Sequence, residues 1–214
     1  GLHRQIAESE LEVRTGDVFD LSLRISALKK MTATEDFAKT VKVASKKKAP
    51  AILIMGGGEG MGPIDKIVSA LDKLVEPIEI IVVTGKNVKL YRRLTRQRRK
   101  LRKKITLYSY VENTAALMQN ASILVSKPGG LTISEALASQ LPVIFIDPIP
   151  GQEAKNASFL LRHGSAIEAK SENQVSLFVS RLLKTPERME LMKKNMASLA
   201  RPEAAMEIAA AVLA

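Results

Sequence analysis

The sequence contains no cysteine, which excludes disulfides and thiolate metal sites and fits a reducing compartment. Histidine is nearly as scarce. Only His3 and His163 are present, too few for a histidine-based metal site or a Ser/His triad, and His163 reads as a helix C-terminal residue favoured by the dipole. Aromatic residues make up 4 % of the chain, which leaves little for stacking on bases. No apolar run approaches the ~18 residues of a membrane-spanning helix. Gly1-Leu2-His3-Arg4 is not followed by the apolar segment of a signal peptide.

Positive charge, by contrast, is plentiful. Thirty-three Lys and Arg stand against 22 Asp and Glu, a formal net charge of +11, and such a surface attracts nucleic acid, anionic lipid or a phosphorylated substrate. At 214 residues, 46 % hydrophobic and 26 % charged, the chain is long enough for one real core with an appendage.

Residues 1–49 differ from the rest. Leu21, Leu23 and Ile25 alternate with polar residues after a possible turn at Thr15-Gly16-Asp17, and the segment ends in Lys46-Lys47-Lys48. It reads as a linker or the remnant of a preceding domain. From Pro50 onward, strands and helices alternate. Ala51–Met55, a wholly apolar run, and Ile78–Val83 predict buried strands; Ile105–Tyr108, Ile123–Val125 and Pro142–Ile146 predict three more, with Ala166-Ile167 as a last edge strand. Helices are predicted after Pro63, over residues 88–103 and 112–119, after Gly130 and from Glu153 to Arg162. Three more close the chain, two of them starting at Pro186 and Pro202. Repeated βα units of roughly 20–30 residues predict an α/β fold, a Rossmann-like doubly wound parallel sheet over residues 50–214. The loops Gly56–Gly62, Tyr110–Glu112, Lys127–Thr132 and Pro148–Glu153 all leave strand ends, so they are expected on one rim, where such sheets bind ligands.

The stretch from Ser126 to Ala138 carries the strongest chemical signal. A strand ends, Gly129-Gly130 turns the backbone, and a helix begins with Thr132 and Ser134 in its opening turn and Glu135 one turn in. Free N–H groups at a helix start favour an anion, and glycine lets it come close. A carboxylate there is badly placed for phosphate but can accept two hydrogen bonds from sugar hydroxyls. Phosphate plus ribose is a nucleotide. Gly56-Gly57-Gly58-Glu59-Gly60-Met61-Gly62 is neither a P-loop, lacking Lys-Ser or Lys-Thr, nor the dinucleotide fingerprint. Five glycines in seven residues exceed what a ligand-free turn needs. Gln152, Glu153 and Asn156 present two amides and a carboxylate at another helix start. Capping alone explains them singly, and hydrogen bonding to a sugar explains them as a set beside the two glycine loops. Lys89 to Lys104 holds ten Lys or Arg in sixteen residues, with Arg92, Arg96, Arg99 and Lys103 as a basic stripe opposite Leu90, Leu94 and Leu101. That stripe is either a solvated helix face or a contact for anionic lipid headgroups. No nucleic acid is expected.

Met55-Gly56-Gly57-Gly58-Glu59-Gly60-Met61-Gly62-Pro63, Lys127-Pro128-Gly129-Gly130-Leu131-Thr132 with Glu135, and Pro150-Gly151-Gln152-Glu153 with Asn156 resemble the carboxyl-terminal half of monogalactosyldiacylglycerol synthases. They are similar, too, to bacterial processive diacylglycerol glucosyltransferases. The resemblance covers about residues 50–210. It implies the second domain of a GT-B glycosyltransferase, which holds the UDP-sugar donor, while the lipid acceptor is engaged mainly by a first domain. Carried over, Glu135 holds the ribose hydroxyls and the Val111 backbone faces uracil. Gly57, Gly58, Glu59, Gly60, Pro128, Gly129, Gly130 and Thr132 belong to the donor pocket, the glycines approaching the diphosphate. Gln152, Glu153 and Asn156 read the sugar, and Lys127 lies near the leaving diphosphate.

The reaction so implied is inverting transfer of a hexose, galactose favoured over glucose, from UDP-galactose or UDP-glucose to diacylglycerol. The UDP-sugar is a substrate, and no cofactor or metal is expected, because helix-start dipoles and Lys127 serve the diphosphate. The resemblance also implies a peripheral membrane protein on an anionic surface, either the plastid envelope of a photosynthetic eukaryote or the cytoplasmic face of the bacterial plasma membrane. The first domain, which holds the general base, has no counterpart in residues 1–49. No catalytic residue is therefore assigned, and the chain is expected to need the missing N-terminal domain or a partner subunit. A second reading is the soluble UDP-GlcNAc-binding subunit of a split N-acetylglucosaminyltransferase for lipid-linked oligosaccharide, which an upstream reading frame would exclude. A third is a basic membrane- or nucleic-acid-binding module.

Overall fold

The computed structural model describes residues 49–213 with the exception of Asp147. The strand, turn and linker expected within residues 1–48 lie outside the described residues. Six strands form one sheet: β1 Ala51–Met55, β2 Glu79–Val83, β3 Lys104–Tyr108, β4 Ile123–Ser126, β5 Val143–Ile146 and β6 Ala166–Ala169. Every pairing is parallel, in the order β3-β2-β1-β4-β5-β6. Helices α1 Ile64–Asp72, α2 Val88–Gln97, α3 Thr114–Gln119, α4 Gly130–Ala138, α5 Gln152–Arg162 and α6 Glu172–Lys184 follow the strands in turn. Helices α7 Pro186–Leu199 and α8 Ala204–Leu213 end the described chain. The doubly wound parallel sheet expected from the alternation is the fold observed. No helix among the described residues is long and apolar enough to cross a membrane.

The pleat explains why the central strands are apolar throughout. Ile52 and Ile54 of β1 join Val125, Ile144 and the inward residues of α1, α2 and α6 in one core layer. Their neighbours Leu53 and Met55 face the other way, packing with Leu124, Phe145 and residues of α3, α4 and α5. A strand covered on both faces has no solvent side, so alternation disappears from its sequence. Helix α7 touches both layers, Met192 lying in one and Met196 in the other. At the sheet edge, β3 is exposed at both ends.

Two expectations about extent are corrected. The basic helix predicted over residues 88–103 ends at Gln97, continues as a single 3-10 turn over Arg98–Lys100 and is extended at Leu101. The cause lies thirty residues away. The Asp72 carboxylate accepts hydrogen bonds from the backbone N–H groups of Arg102, at 2.7 Å, and Lys103, at 2.8 Å, which draws the chain out of the helix and into β3. Lys103 therefore leaves the stripe, and its ammonium donates to the Glu76 carbonyl at 2.6 Å. The edge strand predicted at Ala166-Ile167 runs on to Ala169, because Glu168 and Ala169 keep register with Phe145 and Ile146.

Glu76 ties the α1–β2 connection to α6. Its carboxylate accepts from the Ser180 hydroxyl at 2.5 Å and pairs with the Lys184 ammonium at 2.9 Å. The Ser180 hydrogen bond first, and Lys184 second, lower its pKa from 4.5 to about 2. A depressed folded-state pKa contributes stability that is present above the unfolded value and lost as pH falls toward the folded one. The contribution is thus full above about pH 5 and fades toward pH 2. Glu76→Gln is expected to cost about 1–2 kcal/mol at pH 7, the worth of a charge-assisted hydrogen bond partly open to solvent. Thermal melts should show the variant and parent converging toward pH 2. A gap that does not narrow on acidification would contradict this role.

Candidate functional site

In an all-parallel sheet every carboxyl end lies on one edge. Here the strand order reverses between β1 and β4: the chain winds outward from β1 to β2 and β3, and from β4 to β5 and β6. The loops leaving β1 and β4 therefore diverge, and a crevice opens between them, the place where such sheets bind ligands. An open cleft of about 200 Å³ occupies it, lined by Gly56, Gly57, Gly58, Glu59, Met61, Lys127, Gly129, Thr132, Ile149 and Glu153. Three loops predicted to share a rim thus meet in one place. The fourth does not reach the cleft lining: Val111 is half-buried and packs against the α3–α5 core layer.

The glycines divide into two kinds. A Cβ at Gly60 would overlap the Thr84 carbonyl, and φ there is +60°, so the position admits little but glycine. Gly56 likewise lies against the Met61 backbone. The turn after β2 clamps this loop from outside. The Asn87 amide donates to the Gly60 carbonyl at 3.1 Å, and the Lys86 N–H donates to that of Gly58 at 2.8 Å. Gly58, Gly129 and Gly130 differ. A Cβ at any of them would meet nothing within 4 Å, and none has a φ that side chains avoid. Nothing inside the described chain requires glycine there.

Helix starts differ too. Helices α2, α3 and α6 are capped by the side chains of Asn87, Asn113 and Ser171, which accept from Leu90, Ala116 and Gln174 N–H. The helices that flank the cleft, α1, α4 and α5, start from Pro63, Gly129 and Gly151 without a side-chain cap. Away from the cleft, α7, which begins at Pro186, also lacks a side-chain cap. In α4 the N–H groups of Gly130, Leu131 and Thr132 find no acceptor among the described residues. Unsatisfied donors at a helix start carry partial positive charge. Three such ends stand around one crevice, with Lys127 in its wall, an arrangement whose partial positive charge suits an anion.

The remaining predicted residues take the following places. Glu59 is exposed on the rim and pairs with Lys86 at 3.4 Å. Glu153 lines the cleft and accepts from the Ile149 N–H at 2.9 Å. Asn156 donates its amide to the carbonyl of buried Pro128 at 3.1 Å, tying α5 to the β4–α4 loop. Gln152 is exposed at the start of α5, and Gly130 at the start of α4. Glu135 lies outside the cleft lining, although it stands three residues along α4 from Thr132 and so on the same face of that helix. It is half-buried, and its carboxylate has no ion pair or hydrogen bond among the described residues. Thr84, Gly85 and Asn87, which brace the Gly56–Gly62 loop from the end of β2, were not anticipated. Of these only Asn87 carried a signal, as a favoured N-cap residue just ahead of a helix.

Residues 51–212 match the glycosyltransferase family 28 C-terminal domain. The chain is 35 % identical over 169 residues to a processive diacylglycerol beta-glucosyltransferase of Bacillus cereus, covering 78 % of this chain and 43 % of that protein. It therefore spans less than half the length of the curated relatives it matches. Among solved structures, MurG from Acinetobacter baumannii superposes with a TM-score of 0.62 at 19 % identity, over 78 % of this chain and 53 % of the other. Anabaena HepE in complex with UDP-glucose does so with a TM-score of 0.59 at 14 % identity, over 77 % and 46 %. At such identities the likeness establishes the fold, a Rossmann-like domain of the GT-B type. The family match runs from the first residue of β1 into α8, taking in the whole sheet and all three cleft loops, and the chain belongs to the glycosyltransferase family 28 C-terminal domain family.

Proposed function

We propose that this domain binds the donor of a glycosyltransferase that moves a hexose from a UDP-sugar to diacylglycerol. The observation that carries the reading is the convergence of three uncapped helix ends and Lys127 on a cleft in which Gly58 and Gly129 serve no internal need. A diphosphate supplies acceptors for the open N–H groups at these helix starts. Glu135 takes two ribose hydroxyls, while Glu153, Gln152 and Asn156 face the sugar. The acceptor hydroxyl displaces UDP at the anomeric carbon with inversion, and the charge that grows on the departing diphosphate meets a preorganised positive field. The named activity of the Bacillus relatives supports diacylglycerol as the acceptor class, and the UDP-glucose in the HepE complex supports a UDP-hexose donor.

The cleft, at about 200 Å³, is smaller than the roughly 300–1,000 Å³ of a ligand pocket. It is read as one wall of a site whose other wall, with the general base, belongs to the remaining length of the relatives. The 214-residue chain should bind UDP with 1:1 stoichiometry in calorimetry and show no transferase activity by itself. Absence of binding at millimolar UDP, with the protein shown to be folded, would overturn the reading. Titrations with UDP-glucose and UDP-galactose then rank the donor sugar.

A further inference from the structure

Seven of the ten Lys and Arg of residues 89–104 fall into two groups in the structure. Three have fixed acceptors: Arg93 pairs with Asp65 at 3.2 Å, Lys104 with Glu79 at 3.0 Å, and Lys103 donates to the Glu76 carbonyl. Lys89, Arg92, Arg96 and Lys100 are exposed and pair with no carboxylate among the described residues. They recur at intervals of three and four, so they share one face of α2 and the 3-10 turn after it. Together with Arg93 and Gln97 they line one open groove. Arg99, expected in this row, lies in the 3-10 turn but outside the groove lining, where Lys100 takes the next place after Arg96.

The row is held in place from behind. Leu90 and Leu94 are buried on the opposite side of α2, and Gln97 donates to the Ser69 hydroxyl of α1 at 2.7 Å. The helix therefore cannot turn its charges elsewhere. Eleven residues of mostly helical rise span about 16 Å, too far for the four cations to converge on one small anion. The groove walls are the aliphatic stems of the same side chains, with the charged ends outward. Val88, one turn before Arg92, is 57 % exposed at the end of the row. No aromatic residue lines the groove, so it offers no platform for stacked bases.

We propose that this groove docks the domain on an anionic membrane surface, with headgroup phosphates distributed along Lys89, Arg92, Arg96 and Lys100. An extended row of mobile cations beside an exposed apolar residue suits a fluid sheet of phosphates bounded by acyl chains. The inference does not depend on the donor-site reading, because none of its residues touches the cleft.

The test is co-sedimentation of the full 214-residue chain with vesicles of phosphatidylcholine, with and without phosphatidylglycerol, at low and high salt. Binding is expected only with phosphatidylglycerol and only at low salt. Changing Lys89, Arg92, Arg96 and Lys100 together to Gln should lower the partition coefficient on the order of a thousandfold, and Arg96→Gln alone roughly fivefold. Thermal unfolding and the UDP titration of these surface variants should be unchanged, which separates failure of this inference from failure of the donor reading. Lys46, Lys47 and Lys48, changed together to Gln, should leave vesicle binding within a few-fold. Four results would each overturn the proposal: no phosphatidylglycerol-dependent binding, binding retained by the fourfold variant, loss only in the Lys46–Lys48 variant, or displacement by millimolar inorganic phosphate. Tighter binding of a DNA duplex than of vesicles at equal salt would reassign the groove to nucleic acid.

Discussion

Alanine at Gly129 or Gly130 should leave folding stability within about 0.5 kcal/mol of the parent, yet lower UDP affinity by about thirtyfold to a hundredfold. The two halves of this result have separate causes. A Cβ at either position meets nothing within 4 Å, and neither backbone needs glycine, so the folded chain accommodates the methyl group without strain. The same methyl group stands over N–H groups of α4 that have no acceptor among the described residues. Under the proposed function it keeps the diphosphate from reaching them. Loss of one charge-assisted hydrogen bond, worth about 2–2.7 kcal/mol, gives that range. Gly60→Ala is the counter-experiment. There the Cβ overlaps the Thr84 carbonyl at a φ of +60°, and a destabilisation of about 3 kcal/mol or more is expected before any ligand is added. Thermal melts and calorimetry on the three variants decide the matter. A folded Gly129→Ala protein with parental UDP affinity would show that the glycines are not held open for a ligand.

Replacing Glu135 with alanine should weaken UDP about tenfold to a hundredfold and leave pyrophosphate binding unaltered. The carboxylate is half-buried and has no partner among the described residues, unlike Glu76, Glu79, Glu153 and Glu172, which all have one. Two ribose hydroxyls donating to one carboxylate are worth a few kcal/mol at most once desolvation is counted. Pyrophosphate has no ribose and gains from losing a nearby negative charge, so any change in its affinity should be a slight increase. Equal losses for UDP and pyrophosphate would mean that Glu135 supports the loop and does not touch the nucleoside.

The difference between the glycines was invisible from the chain alone. Gly56, Gly58 and Gly60 occur within five residues and look alike, but Gly60 is set by Thr84 and Asn87 at the end of a neighbouring strand. Gly58 is not set by any Cβ contact. The end of the basic helix had the same character. Nothing between Arg98 and Lys103 breaks a helix by propensity. Asp72, in the preceding helix, captures two N–H groups and redirects the backbone. Asn156 reads as one more polar residue on a helix face, and only the position of Pro128 shows that its amide already holds a carbonyl of the facing loop.

What the chain determines by itself is local and repetitive. Short apolar runs alternating with helical periodicity and turn residues mark strands covered on both faces, and the βα repeat leaves a doubly wound parallel sheet as the fold. The anion-binding character of residues 126–138 is equally local, because it follows from glycine and a helix start. Strand order is another matter. The placement of β4 beside β1 rather than β3 depends on which faces bury best once all six strands are present, and no short window of sequence contains that choice. It is this placement that brings residues 56–61 against 127–132 and leaves Gly129 and Gly130 open, while β2 on the other side of β1 gives Gly60 its steric limit. Side-chain chemistry can be read one residue at a time, whereas the vacancy a ligand would fill is a property of surfaces that meet only in the folded sheet.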